Sequence, residues 1–155
     1  MKAGYSVVTG GAVALTAATA KSVIGVKSHA NFGIDLKKLT LSFADTDASE
    51  VPVLIEICQS TFATNGPGTN STSVTPLQTY GRSITVGATA AKTWTTEPTV
   101  LTVIREFLLT PAGGVVMYDW PLGDSPDSAV SEGFVVRCTA PSATDVRATL
   151  DYERC

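Results

Sequence analysis

Histidine and closely spaced cysteine are what this sequence has least of. Its 155 residues hold one histidine, His29, and three cysteines, Cys58, Cys138 and Cys155, set far apart. A serine or cysteine nucleophile needs a base beside it, and no G-x-S-x-G accompanies the lone histidine. A structural zinc wants four Cys/His ligands, usually in close pairs. These four residues reach that count but show no C-x-x-C spacing. No enzyme, no metal and no cofactor is therefore expected. An odd number of cysteines fits reduced thiols. Cys58 and Cys138 lie inside apolar runs and read as core, while Cys155 is expected to be exposed. A Cys58–Cys138 disulfide stays open for oxidising conditions.

Charge is also scarce. Charged residues make up 16% of the chain and hydrophobic residues 44%, with a net charge of −3. That balance excludes a disordered chain and points to a surface partly covered by a partner. The one local basic cluster is Lys37-Lys38, so a nucleic-acid partner is not expected. No apolar run approaches the length of a membrane-spanning helix, so no membrane is expected as partner. Gly10-Gly11 and Gly113-Gly114 lack the spacing of a phosphate-binding loop.

What the sequence does have is alternation. Val146, Ala148, Leu150 and Tyr152 alternate with polar residues over 144–154, as on a strand with one buried face. Leu39, Leu41 and Phe43 do the same, and Val53, Ile55 and Ile57 follow after a turn at 44–49. Gly133–Thr139 is β-rich and is closed by Pro141, which has no N–H for a ladder. Residues 7–19 and 22–28 supply one or two strands, Ile84-Thr85-Val86 a short one, and 115–120 another. Thr64–Ser73 is a loop by composition. The expected domain is single. Residues 1–19 form an extended N-terminal arm with a first strand. Residues 20–155 form an all-β, antiparallel sandwich of about eight strands. Residues 1–22 loosely imitate a signal peptide, but Ser6, Thr9, Gly10, Gly11 and Thr16 break the apolar run, and an ordered arm is expected instead.

The stretch Trp94–Leu109, WTTEPTVLTVIREFLL, fits two periods. Val100, Val103, Ile104, Phe107 and Leu108 make a helical stripe, with Thr96 as a cap and Pro98 in the first turn. Leu101, Val103, Phe107 and Leu109 also alternate as on a strand. The β-branched run Thr99–Ile104 favours the strand, paired as a hairpin with 115–120.

Several side chains invite a chemical reading. Asp45, Asp47 and Glu50 form one acidic cluster and Asp124 and Asp127 another. Both offer oxygen ligands for calcium, yet Asp is an ordinary turn former and neither matches an EF-hand. Glu56, Glu106, Arg105 and Arg137 are expected as cross-strand ion pairs. Trp94, Trp120, Tyr80 and Tyr118 can pack in a core, anchor an interface or stack on sugars.

The segments W-T-T-E-P-T-V-L (Trp94–Leu101), T-P-A-G-G (Thr110–Gly114), P-L-G (Pro121–Gly123) and G-F-V-V-R-C-T-A-P (Gly133–Pro141) together resemble small virion proteins of tailed bacteriophages. So do L-T-L-S-F-A-D-T-D (Leu39–Asp47) and V-P-V-L-I-E-I-C-Q-S-T (Val51–Thr61). The resemblance is to the head-decoration, or cement, kind and covers roughly residues 20–153 as a pattern of strands and turns. It implies a jelly-roll-like sandwich, often trimeric, seated on the outer surface of an icosahedral shell, with the major capsid protein and its own copies as partners. It brings no catalytic residues. Candidate contacts with capsid or neighbouring copies are Met1, Lys2, Tyr5, Tyr80, Trp94 and Trp120. The alternative is a carbohydrate-binding or host-recognition sandwich, as in a tail or fibre component. Its mark would be Trp94 or Trp120 exposed in a row with Tyr80.

Overall fold

A computed structural model describes residues 3–43, 51–112 and 114–155. Among them there is no helix; the chain forms twelve strands in two antiparallel sheets that pack face to face. The strands are β1 (Gly4–Val8), β2 (Val13–Leu15), β3 (Ala20–Lys27), β4 (Ile34–Phe43), β5 (Val53–Ser60), β6 (Thr72–Val74), β7 (Leu77–Tyr80), β8 (Thr89–Lys92), β9 (Leu101–Leu109), β10 (Val116–Asp119), β11 (Gly133–Thr139) and β12 (Thr144–Arg154). Sheet A runs β10-β4-β12-β1-β7, with β2 also on β12, and sheet B runs β6-β8-β3-β11-β5-β9.

The alternation seen in the sequence builds the core directly. Val146, Ala148, Leu150 and Tyr152 point inward from sheet A with Leu36, Leu39 and Leu41. Val53, Ile55, Ile57, Phe134 and Val136 meet them from sheet B. Side chains this size contribute about 1.5–3 kcal/mol each when fully buried, so this layer dominates stability. Residues 101–109 are a strand, as their β-branched composition predicts.

The expected hairpin between 99–109 and 115–120 does not form. β9 pairs with β5 in sheet B, and β10 pairs with β4 in sheet A. More generally, no two consecutive strands pair with each other. Every ladder joins segments distant in the chain, and most connections cross from one sheet to the other. The short strands β2, β6, β7 and β8 raise the number from about eight to twelve. Residues 84–86, expected as a short strand, have no regular structure. The N-terminal segment is not a free arm over its described part: β1 lies inside sheet A, between β12 and β7.

Two connections cross the outside of sheet B and form a partial third layer. Residues 61–71 run from β5 towards the far edge, and residues 93–100 return to β9. They are tied together: Trp94 Nε1 donates to the Asn65 carbonyl at 2.7 Å, and the Asn65 amide donates to the Glu97 carbonyl at 3.1 Å. Thr95 N–H donates to the Asn70 carbonyl at 2.8 Å. Five non-glycine residues here have positive φ, namely Phe62, Asn65, Asn70, Thr93 and Val100. Trp94 and Phe62 seat this layer on Ala91 and Val135. Gly25 makes room for the indole, since a Cβ there would lie 2.9 Å from Trp94 Cη2.

Candidate functional site

The aromatic residues singled out in the sequence separate by burial. Trp94 is 1% exposed beneath the two crossing segments, and Trp120 is 5% exposed against the core. Tyr5 is equally buried and stacks on Tyr152, with ring centroids 5.4 Å apart. The Tyr5 hydroxyl donates to the Ile84 carbonyl at 3.1 Å. These three side chains are packing elements, and no exposed row of Trp94, Trp120 and Tyr80 exists. Tyr80 is 51% exposed on the outer face of sheet A. Met1 and Lys2 lie outside the described residues.

The titratable candidates also fall apart. His29 is exposed, stacks on Phe32 and accepts a hydrogen bond from Asn31 N–H at Nδ1. The cluster Asp45, Asp47 and Glu50 lies outside the described residues. Asp124 N–H closes a turn on the Pro121 carbonyl, and Asp127 bridges Asp35. Among the described residues no group of three His, Cys, Asp or Glu converges as metal ligands would. Cys58 and Cys138 occupy adjacent strands but opposite faces of sheet B. Cys58 is opposite Val135 under the outer layer, and Cys138 is opposite Ile55 in the core, so they do not form a disulfide. Burial pushes the Cys58 thiol up to about 11 and raises Cys138 as well, which removes both from nucleophilic chemistry.

The ion pairing expected for Glu56 and Arg137 is present. The guanidinium holds the carboxylate by two hydrogen bonds of 3.1 Å each, on the outer face of sheet B. Glu97 reaches the neighbouring strand, where its carboxylate accepts from Ser22 N–H at 2.9 Å and from the Ser22 hydroxyl. The Glu97–Ser22 bonds tie the returning segment 93–100 onto the sheet.

Two surface features remain. One is the rim formed by β9 and β10. Each has a partner on one side only among the described strands, so both leave an open backbone edge on the same flank of the sandwich. Phe107 and Tyr118 close the interior between them. Val103 and Leu108 project from β9 on the outer face of sheet B, and Met117 projects from β10 on the outer face of sheet A, with Val115 just before it; Leu108 is 67% and Met117 61% exposed. A register shift at Ile104 and the exposed Arg105 and Glu106 interrupt the β9 edge. Bulges and charges of this kind discourage indiscriminate strand addition, so contact at this rim falls to side chains.

The other feature is a groove of about 420 Å³ on the outer face of sheet A, lined by Lys37, Lys38, Thr79, Tyr80, Asp119 and Asp151 among others. Asp119, Lys38 and Asp151 stand side by side on β10, β4 and β12. Neither feature was visible in the sequence. The residues alternate as strands should, but which of them share a surface depends on pairing between distant segments.

Compared with protein-family models, curated proteins and solved structures, the chain matches none.

Proposed function

We propose that this chain is a structural virion protein, a head-decoration protein that binds an assembled phage capsid from outside as a homotrimer of jelly-roll-like sandwiches. The observation that carries the reading is the β9–β10 rim. Two open sheet edges meet on one flank, and exposed apolar side chains border that flank on both outer faces, Val103 and Leu108 on sheet B and Val115 and Met117 on sheet A, which suits it to burial between protein partners. The buried tryptophans and the clamped outer layer add to it. They describe a rigid body whose recognition lies in exposed apolar side chains. The resemblance of the strand and turn pattern to decoration proteins supplies the partner, the major capsid protein. Binding to the folded shell alone would stabilise the shell by mass action.

Sedimentation tests the reading. The purified chain should run as a trimer and should pellet with undecorated heads. The double variant Leu108→Glu/Met117→Glu should run as a folded monomer and stay in the supernatant. A wild-type chain that remains monomeric at micromolar concentration and ignores the heads would refute it.

A further inference from the structure

The groove on sheet A runs from Tyr80 on β7 across to Asp119 on β10 and lies mostly away from the rim. Its wall is Tyr80. The ring rests on Gly4, where a Cβ would come 2.1 Å from Cε1, so only glycine allows this seat. The Tyr80 hydroxyl donates to the Glu153 carboxylate. Glu153 in turn pairs with Lys37 at 3.4 Å, and Lys37 also reaches Ser125 at 3.2 Å. The ring is thereby fixed from below and from its tip, while half of it stays open to solvent.

Beside this platform the groove floor carries a row of polar groups. Asp119, Lys38 and Asp151 are in register on neighbouring strands, which stand about 4.8 Å apart. The order is acceptor, donor, acceptor. No ion pair joins Lys38 to either aspartate, so their hydrogen-bonding capacity faces the groove. Thr79 adds a hydroxyl at the Tyr80 end. The volume falls within the roughly 300–1,000 Å³ typical of ligand clefts.

We infer that this groove binds a neutral oligosaccharide, with one pyranose ring stacked on Tyr80 and the hydroxyls of the following sugar units bonded to Asp151, Lys38 and Asp119. A pyranose presents an apolar C–H face to a ring and alternating donors and acceptors around its edge, which is the complement of this surface. Charge selects the neutral sugar. Lys37 is already committed to Glu153 and Ser125, so two carboxylates and one ammonium face the ligand, and this repels sulfate, phosphate and uronate groups.

The test is an amide NMR titration of the full chain with maltotetraose, cellotetraose, mannotetraose and tetra-N-acetylchitotetraose, with inorganic phosphate and a heparin tetrasaccharide as anionic probes. At least one neutral tetrasaccharide should give saturable shifts centred on Lys38, Tyr80, Asp119 and Asp151. Tyr80→Ala should weaken that binding by about tenfold or more, and Asp151→Asn by several-fold. Tyr80→Phe should retain it within a few-fold, since the ring is the platform. The Asp151→Asn variant keeps the test sound if Tyr80→Ala fails to fold. The inference is overturned if no neutral probe saturates at about 10 mM, a weak-binding ceiling for such a surface. It is equally overturned if the shifts lie elsewhere, if only the anionic probes bind, or if folded Tyr80→Ala and Asp151→Asn bind as the wild type does.

Discussion

Phe107 and Tyr118 stack with their rings nearly parallel, 6° apart at a centroid distance of 6.1 Å, although their strands belong to different sheets. The pair closes the sandwich at the flank where both sheets end in open edges. It links the core to the rim on which the proposed assembly depends. Phe107→Ala should therefore cost about 3 kcal/mol or more of stability and also weaken self-association. Leu108→Glu should abolish the proposed trimer while changing the monomer's own unfolding free energy by no more than about 0.5 kcal/mol. Urea titration and sedimentation of the two variants separate the inward and outward roles of neighbouring residues.

The Glu56–Arg137 pair lies beneath the crossing segments, with Glu106 opposite Glu56 on the next strand. Removing Arg137 alone leaves Glu56 buried among other carboxylates, so Arg137→Leu should lose about 3 kcal/mol. The double variant Glu56→Leu/Arg137→Leu should recover much of that loss. A double-mutant cycle by urea unfolding reads the coupling directly. Equal losses in the single and double variants would show that the pair has no special role.

Tyr152 buries a hydroxyl with no hydrogen-bond partner among the described residues. Tyr5, stacked on it, has its hydroxyl satisfied by Ile84. The two tyrosines should respond oppositely to the same change. Tyr152→Phe should raise stability by about 1 kcal/mol, because it removes an orphaned polar group, whereas Tyr5→Phe should lower it by about 1 kcal/mol. Differential scanning calorimetry of both variants settles the contrast.

Thiol accessibility follows from the placement of the cysteines. In the native state one thiol, Cys155, should react promptly with a disulfide reagent, and all three should react after denaturation. Burial holds the Cys58 thiol at about 11 instead of 9.0, and Cys138 and Tyr152 shift the same way. The native state thus keeps protons that the unfolded chain releases. These groups should contribute no pH dependence to stability below about pH 9 and should lower it as pH rises towards 11, because the unfolded state then binds fewer protons. A urea midpoint that rises over that range would contradict these placements.

The sequence made some of this legible and not the rest, for a physical reason. Period-two burial is a local property, so the strands at 34–43, 53–60, 101–109, 133–139 and 144–154 could be read from their side chains. The competition over 94–109 resolved correctly because β-branched residues favour the pleated surface. Pairing is not local. Thr110-Pro111 and Gly114 looked like a hairpin turn, yet the same residues carry the chain from sheet B to sheet A. The short strands at 13–15, 72–74, 77–80 and 89–92 contain Ala, Thr, Ser and Gln, whose strand character is supplied by neighbours. The burial of Trp94 depends on Gly25, 69 positions away in the chain, leaving a gap for it. The groove row of Asp119, Lys38 and Asp151 likewise comes from three distant strands.

The location of the chain on particles tests the central claim most directly. Phage particles purified from the native host should be imaged by cryo-electron microscopy and labelled with an antibody against this chain. The account predicts label and density on the outer surface of the head, in three-fold clusters, and its loss when Leu108→Glu/Met117→Glu replaces the wild type. A chain found only in the soluble fraction, or confined to the tail, would contradict it.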